Sequence, residues 1–495
     1  MMTKKAGYVA AISLLLAAAA NGADPANPLS FGDGKVVFDV EERARLETRQ
    51  NNFDFNDAKN SLGDVTDDTF LLQRFRIGVT VRPSESIGGY LQGQDTRQIW
   101  ATRPGVPYTF GSEGDDPFDL RQAYIDLGNL AACPFTMRLG RQELSYGDER
   151  LVGSAGWNNF SRTFDALKLR YSDPNRLLTL DAFGAHVVNI AGFGPDANDG
   201  MIFNTADWDD TLVGLYLSTK ALEFQTTDLY VLFRDKGDSD PVYTAMSGTL
   251  TNRATPYDIA QRIWTLGFRI QSTPGKTGNW DYDAEVAYQT GRSAGQQGAA
   301  VPGPEMIDHE AFAIHAGAGY SWAKIAWSPR LGVEYNVASG DKNPDDNNDQ
   351  SFLNLFPSNH KPYGRMDLFS WKNIHDLACG LRLTPYQDAQ QPSHKLVLDV
   401  DGHAFWLYSN QDAWCRANGV ARVRPLNAAA LSANRFVGSE LDVTISYNTP
   451  WKWLRVDTGY SHFFAGGYVS DTANAVTGAG GDDADFGYVQ TTMTF

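Results

Sequence analysis

Basic residues stand at alternate positions inside several apolar stretches. Arg74 and Arg76 interleave with Phe75, Ile77, Val79 and Val81, Lys168 and Arg170 with Leu167, Leu169 and Tyr171. Arg269 lies among Trp264, Leu266, Phe268 and Ile270, and Arg455 between Leu454 and Val456. A β-strand sends successive side chains to opposite faces, so each stretch presents one apolar face and one cationic face. Guanidinium groups gathered in a narrow, low-dielectric space attract carboxylates and can bind them bidentately. That chemistry is the holding and passing of anions, with no bond made or broken. The competing expectation is mechanical. Asp126, Asp283, Glu285, Glu334, Asp399 and Asp442 fall on the same kind of face, where they can pair with the arginines and brace a wall.

Catalytic chemistry has little to stand on. The chain contains no GxSxG elbow, HExxH pair or P-loop, and His315, His403 and His462 are isolated histidines on polar strand faces. No enzymatic activity and no cofactor are expected. Segment 339–365 gathers Asp341, Asp345, Asp346 and Asp349 beside Asn343, Asn347 and Asn348, oxygens of the kind calcium prefers. It lacks the turn glycine and terminal glutamate of an EF-hand loop, so a solvated acidic loop is expected, with calcium the weaker alternative. Asp482, Asp483 and Asp485 in the glycine-rich 466–484 segment read the same way. Cys133, Cys379 and Cys415 have no paired spacing that would suggest zinc or a disulfide framework.

The elements that must position these residues are strands. Period-two alternation is clear at 280–289, 327–337, 394–401 and 440–448, the last setting Leu441, Val443, Ile445 and Tyr447 against Glu440, Asp442, Thr444, Ser446 and Asn448. Many such segments run about 10–14 residues, the length that spans a bilayer as a tilted strand, whereas soluble sandwich strands are shorter. Trp and Tyr recur near their ends, as interfacial girdles require: Trp100, Tyr171, Trp280, Trp322, Trp327, Tyr408, Trp451 and Trp453.

Eighteen segments are expected, beginning near residues 35, 70, 86, 117, 134, 163, 176, 208, 225, 257, 279, 308, 326, 366, 394, 437, 453 and 485. Connections after even segments are short, such as Ser172-Asp173-Pro174-Asn175, and those after odd segments long, such as 144–162, 339–365 and 409–436. Short periplasmic turns and long external loops mark a transmembrane antiparallel β-barrel of an outer membrane. The fold class is therefore all-β, a barrel of about 18 strands.

The termini and composition agree. Lys4 and Lys5 precede an apolar run from Tyr8 to Ala20, then small residues to Ala23 and the break at Asp24-Pro25, the form of a secretory signal peptide. Residues 1–23 are expected to be that signal and 24–495 a single barrel domain. No later segment approaches the length of an apolar membrane helix. Phe495 closes an alternating last strand and shares a face with Met493, Thr491 and Val489, which resembles the recognition signal for the barrel-assembly machinery. A net charge of −17 makes nucleic acid an unsuitable partner.

A family resemblance adds to this reading. The stretch Leu120-Arg121-Gln122-Ala123-Tyr124-Ile125-Asp126-Leu127 is followed by Leu139-Gly140-Arg141-Gln142, by Tyr146-Gly147-Asp148-Glu149-Arg150 and by Phe164-Asp165-Ala166. Later come Ser339-Gly340-Asp341-Lys342, Leu355-Phe356-Pro357-Ser358-Asn359-His360 and Asp367-Leu368-Phe369-Ser370-Trp371-Lys372-Asn373. In this order, from about residue 35 onward, they resemble the alginate-export family of outer-membrane porins. The resemblance implies an 18-stranded barrel with an arginine-rich lumen that passes an anionic uronate polysaccharide, working beside periplasmic polysaccharide-secretion proteins. It carries Arg121 and Arg141 over as matches to the family's arginines. Glu143 stands where the characterised member has a basic residue, a departure that bears on the cargo.

The expected function is thus facilitated diffusion of an anionic saccharide or polysaccharide across the outer membrane, along Arg74, Arg76, Arg121, Asp126, Arg141, Lys168, Arg170, Arg269 and Arg455. The alternatives are an uptake porin for small anions or oligosaccharides, and a plugged barrel acting as a receptor or anchor. A plug would have to come from a loop folded inward, because few residues lie between the signal and the first strand.

Overall fold

The computed structural model describes residues 29–57, 66–102, 115–129, 133–190, 203–237, 260–294, 306–419, 422–424, 426, 428–473 and 479–495. Residues 1–23, expected to be a signal peptide, lie outside the described residues.

One antiparallel sheet closes on itself. Its eighteen wall strands are β1 (Val36–Gln50), β2 (Asp68–Ser84), β3 (Ile87–Ile99), β4 (Asp116–Leu127), β5 (Phe135–Gln142) and β6 (Phe164–Ser172). They continue through β7 (Leu178–Asn189), β8 (Thr205–Leu222), β9 (Gln225–Lys236), β10 (Gln261–Ser272), β11 (Trp280–Ser293) and β12 (Ile307–Ser321). The ring is completed by β13 (Arg330–Ala338), β14 (Ile374–Gln387), β15 (Lys395–Leu407), β16 (Phe436–Asn448), β17 (Leu454–Ala465) and β18 (Ala484–Thr494). Each pairs with its sequence neighbour, and β18 returns to β1 with Thr494 opposite Glu41 and Asp485 opposite Gln50. Phe495 seals the seam by exchanging backbone hydrogen bonds with Val40 at 2.9 and 3.1 Å, and stacks on Trp453 at 5.6 Å. Closure leaves no unpaired edge, which a lipid environment without water demands.

Alternation decides which residues meet lipid. Ile77, Leu167, Leu169, Leu215, Leu229, Trp264, Val286, Val333, Leu377 and Leu441 are exposed on the outer face, while neighbours such as Arg76, Ala166, Leu232, Glu285 and Asp376 are buried within. Aromatic clusters bracket the apolar band. Trp280, Tyr320 and Trp322 pack edge to face at 4.9 and 4.8 Å near the periplasmic turns. Phe233 and Trp264 pack at 4.6 Å toward the opposite rim.

Most strand starts fall within three residues of expectation; the strand expected near 257 begins at Gln261, and two more depart for identifiable physical reasons. The strand expected near 326 begins at Arg330, because Trp327 and Ser328 take left-handed φ values of 66° and 44° in the preceding turn. The strand expected near 366 begins at Ile374. Met366, Leu368, Phe369 and Trp371 are buried inside the barrel, so this apolar run belongs to an inward-folded loop. Two short helices, α1 (Ala428–Ser432) and α2 (Gly467–Asp471), lie in the last two long loops.

Candidate permeation path

The lumen is lined by strand positions whose charge is unevenly distributed. On β1–β6 the inward side chains include Arg43, Arg45, Arg49, Arg74, Arg76, Arg121, Arg138, Lys168 and Arg170, against somewhat fewer carboxylates, Asp39, Glu41, Glu47, Asp68, Asp116, Asp119 and Asp126. On β11–β16 the balance reverses, with Asp281, Asp283, Glu285, Glu334, Asp376, Asp399, Asp401, Glu440 and Asp442 against Arg330, Arg382 and Lys395. In a ring of eighteen strands these two arcs face each other.

The expected residues separate by height. In the extracellular half Arg74 and Arg76 are buried and committed. Arg74 donates from Nε to Glu41 at 2.8 Å and from Nη1 to the carbonyls of Gly156 and Asn158, both at 3.1 Å. Arg76 donates to Gln94 at 2.7 Å and to Ser161 Oγ at 2.8 Å. Arg121 donates to Gln92 at 2.7 Å and to Glu143, so the glutamate that departs from the family pattern neutralises the matched arginine. Arg269, in the periplasmic half of β10, is also buried and committed, bridging Asp148 at 2.6 Å and Asp228 at 2.8 Å.

In the periplasmic half the cations are more open. Arg170 pairs with Asp181 at 2.6 Å, Arg138 with Asp126 at 2.7 Å and Arg455 with Asp457 at 2.7 Å. Across the lumen Arg330 pairs with Asp281 at 2.5 Å and Arg382 with Asp399 at 2.7 Å. Lys168 registers with Arg138 on one side and Phe183 on the other. Arg141 does not join this set. It registers with Asp165 on the face that carries Leu139 and Leu167, binds Asp165 at 2.8 Å, and caps the carbonyls of Leu120 and Asn204 at the top of short β5.

Sequence reasoning missed Arg43, Arg45 and Arg49, although the alternation Arg43-x-Arg45-x-Glu47-x-Arg49 on the first strand is their signal. Arg43 and Arg45 donate to the carbonyl of Trp157 at 3.0 and 2.8 Å. Missed too were the loop cations Arg150, Arg162, Lys361 and Arg365, which alternation cannot place.

Two long loops fold into the extracellular half and lock together. Val152 forms a parallel bridge with Phe356, and Arg162 donates to the carbonyls of Gly153 and Pro357 at 3.1 and 2.9 Å. Ser358 Oγ donates to Glu149 at 2.5 Å. Trp157 is sandwiched between the Arg45 guanidinium and the His360 ring, each 3.7 Å from its centre. Below and around this clasp, Phe352, Leu355, Phe356, Tyr363, Leu368, Phe369 and Trp371 form an apolar core with Trp414 and Tyr468 from the last loops. Burial under Trp157, with Arg365 and Arg45 nearby, depresses the His360 pKa despite the Asp367 carboxylate at 2.9 Å.

The acidic loop residues have internal roles. Buried Asp349 accepts from Ser293 Oγ at 2.6 Å and from Ser351 N at 3.0 Å. Asp341 and Asp346 accept backbone amides two residues on, Asn343 N at 3.0 Å and Asn348 N at 2.9 Å. Among the described residues no group of three or more His, Cys, Asp or Glu is arranged to hold a metal ion. His315, His403 and His462 face wall carboxylates: His315 meets Asp283, His403 meets Asp376 at 3.0 Å, and His462 meets Asp485 at 2.8 Å.

A closed antiparallel barrel with an apolar belt, aromatic girdles and a charged lumen constricted by inward loops defines a porin-type channel of the cell outer membrane. The structural comparisons agree with that class. OccK9 (OpdG) of Pseudomonas aeruginosa superposes with a TM-score of 0.55 at 12% identity, over 93% of this chain and 98% of its own. OpdQ of the same organism gives 0.53 at 14% identity over 94% and 99%, and OccAB3 of Acinetobacter baumannii 0.53 at 12% over 93% and 99%. None of the curated proteins matches the chain. The alginate export family model matches residues 38–480, and the chain belongs to that family.

Proposed function

We propose that the protein passes an anionic saccharide or polysaccharide through its lumen by facilitated diffusion, without catalysis, in concert with periplasmic polysaccharide-secretion proteins. The observation that carries this reading is the cationic arc of β1–β6, whose periplasmic members Arg138, Lys168 and Arg170 stand in the open half of the lumen. A carboxylate entering from the periplasm meets guanidinium groups already oriented by Asp126 and Asp181, so it can exchange partners rather than pull a bare cation from a wall. Further passage requires the Gly156–Asn158 segment to leave Arg43, Arg45 and Arg74, which frees those cations for the next carboxylate.

A second reading, uptake of a small anion, is favoured by the apolar core of the extracellular half, which suits a small solute better than a polymer while the loops stay docked. Liposome swelling distinguishes the two. Mannuronate oligomers entering faster than neutral oligosaccharides of equal length supports the saccharide path. Entry of small carboxylates alone supports the second reading, and equal rates for charged and neutral sugars contradict both.

A further inference from the structure

The extracellular rim carries a cleft that the permeation path does not use. It lies at the upper end of the seam between β18 and β1, where Asp485 stands opposite Gln50. The loop between β1 and β2 forms one side, and the loop between β17 and β18 the other. Gln50, Asn51, Asp57, Asp482, Asp483 and Asp485 line a volume of about 440 Å³. Each of these six side chains ends in an oxygen, and no lysine or arginine is among the lining residues.

The two loops already meet here. Asn51 Nδ2 donates to Asp57 Oδ1 at 2.6 Å and to the Asp483 carbonyl at 2.7 Å. Asp57 N donates to Asp482 Oδ2 at 2.9 Å, and Asp482 N to the Phe55 carbonyl at 2.9 Å. Ala465 N donates to Asp483 Oδ1 at 2.8 Å. His462 approaches from β17, with Nδ1 2.8 Å from Asp485 Oδ1 and Nε2 3.6 Å from Asp483 Oδ2, and Tyr460 donates to Asp485. Beneath the cleft Arg424 is engaged by the backbone carbonyls of Phe53, Asp54 and Gly480. Asp57, Asp482, Asp483 and Asp485 therefore gather around one imidazole.

Acidic groups on a loop are ordinarily just solvated, and among the described residues no three acidic or histidine side chains are arranged to hold a metal by themselves. Asn51 is what distinguishes this cleft. It is only 2% exposed, and its buried Oδ1 has no hydrogen-bond partner. A buried acceptor left without a donor costs about 1–3 kcal/mol. Because Nδ2 is fixed on Asp57 and Asp483, the amide cannot rotate to find one. An oxygen held beside carboxylates in this way is satisfied by a cation, which needs no proton. Carboxylates, a side-chain amide and water in an irregular shell are the ligands Ca²⁺ accepts, whereas Mg²⁺ demands a small regular octahedron.

We propose that this cleft binds one calcium ion, with Asn51 Oδ1 and the carboxylates of Asp57 and Asp483 as its protein ligands. The ion ties the β1–β2 loop to the β17–β18 loop across the barrel seam and offsets the charge gathered there. Extracellular sites of this mixed kind bind with Kd on the order of 10⁻⁴–10⁻³ M.

The test titrates Ca²⁺ into the refolded full-length protein after EDTA treatment, by calorimetry at high ionic strength, where diffuse attraction to the acidic surface is screened. One saturable site that equal Mg²⁺ does not displace is expected. Asn51→Gly, which tolerates the left-handed φ of 54° at this position, and the double variant Asp57→Asn with Asp483→Asn are each expected to weaken it at least about tenfold, the cost of losing even an outer-shell partner. Asp345→Asn, in the other acidic loop, leaves it unchanged. Asn51→Asp keeps an oxygen at the site but loses both amide donors. It is expected to lower the melting temperature without calcium and to show a larger calcium-dependent rise than the unmodified chain. Heat-modifiable gel mobility confirms that each variant is folded. A folded, unmodified chain with no saturable calcium site overturns the proposal, and so does full affinity in the double variant. An Asn51→Asp protein whose lost stability calcium does not restore also overturns it, because Asn51 then serves only as a hydrogen-bond donor.

Discussion

At the scale of single residues, the arginines of this barrel divide by what holds them. Those higher in the lumen, and Arg269 lower down, are spent on loop carbonyls and buried carboxylates, and Arg138, Arg170 and Arg455 on the periplasmic side keep one edge toward water. Glu143 sits at the division, since it neutralises Arg121, the arginine that matches the family motif. Glu143→Lys removes that neutralisation and adds a cation. Anion selectivity in bilayer recordings is expected to rise, and thermal stability to fall by about 1–3 kcal/mol because a buried guanidinium loses its ion partner. Unchanged selectivity would mean that Arg121 lies outside the path.

Asp341 offers a second residue-scale test. Burial, reinforced by Asp412, Asp349 and Asp346, pushes its pKa up to about 7 although Asn343 N donates to it. A folded-state pKa above the unfolded value means the stabilising protonated form is complete below about 4 and is lost as pH rises through 7. Asp341→Asn keeps the acceptor and removes the charge. It is expected to raise the melting temperature at pH 8, an effect on the order of 1 kcal/mol, and to change little at pH 4. Equal effects at both pH values would contradict the charge argument. His360 acts in the opposite sense. Its depressed pKa makes the loop clasp weaker as pH falls below about 6.5, where the unfolded imidazole gains its proton.

At the scale of elements, strands and loops differ in how much the sequence reveals. Alternation of apolar and polar residues is enforced on every wall strand by lipid on one side and water on the other, so Leu167-Lys168-Leu169-Arg170 announces both its strand and its facing. The 366–372 run shows where that logic stops. Its apolar residues answer to an apolar core inside the lumen, made by chain segments distant in sequence, and no local period distinguishes that environment from lipid. For the same reason the clasp of Trp157 between Arg45 and His360 is invisible before folding, although each partner lies in a segment the family resemblance covers or adjoins.

The loops also carry a mechanical prediction. Arg43 and Arg74 together hold Gly156, Trp157 and Asn158 against the wall. Replacing both by alanine removes charge-assisted hydrogen bonds worth roughly 1.5–3 kcal/mol each. The 144–163 loop is then expected to undock, giving larger and noisier single-channel conductance together with faster proteolysis within the loop. A variant with unaltered conductance and protection would place the constriction elsewhere.

At the scale of the whole molecule, the family, the eighteen-strand barrel and the outer-membrane location follow from features distributed along the entire chain, and each was legible as alternation, loop asymmetry and motif order. What the sequence did not carry is the separation of charge between opposite arcs, because the contrast between β1–β6 and β11–β16 appears only when the ring closes. That separation gathers an excess of cations on one wall in a chain of net charge −17, and the proposed anion path rests on it. The far wall carries an excess of inward carboxylates, and the near wall an excess of cations, of which Arg138, Lys168 and Arg170 stand in the open half of the lumen. The most direct test of this account is the reversal potential of the refolded protein in a planar bilayer under a salt gradient, with polymannuronate added to one chamber. The account predicts an anion-selective potential and a current blocked by the polyuronate from the periplasmic side. A cation-selective potential with no block would show that the carboxylate wall governs the lumen, and would contradict it.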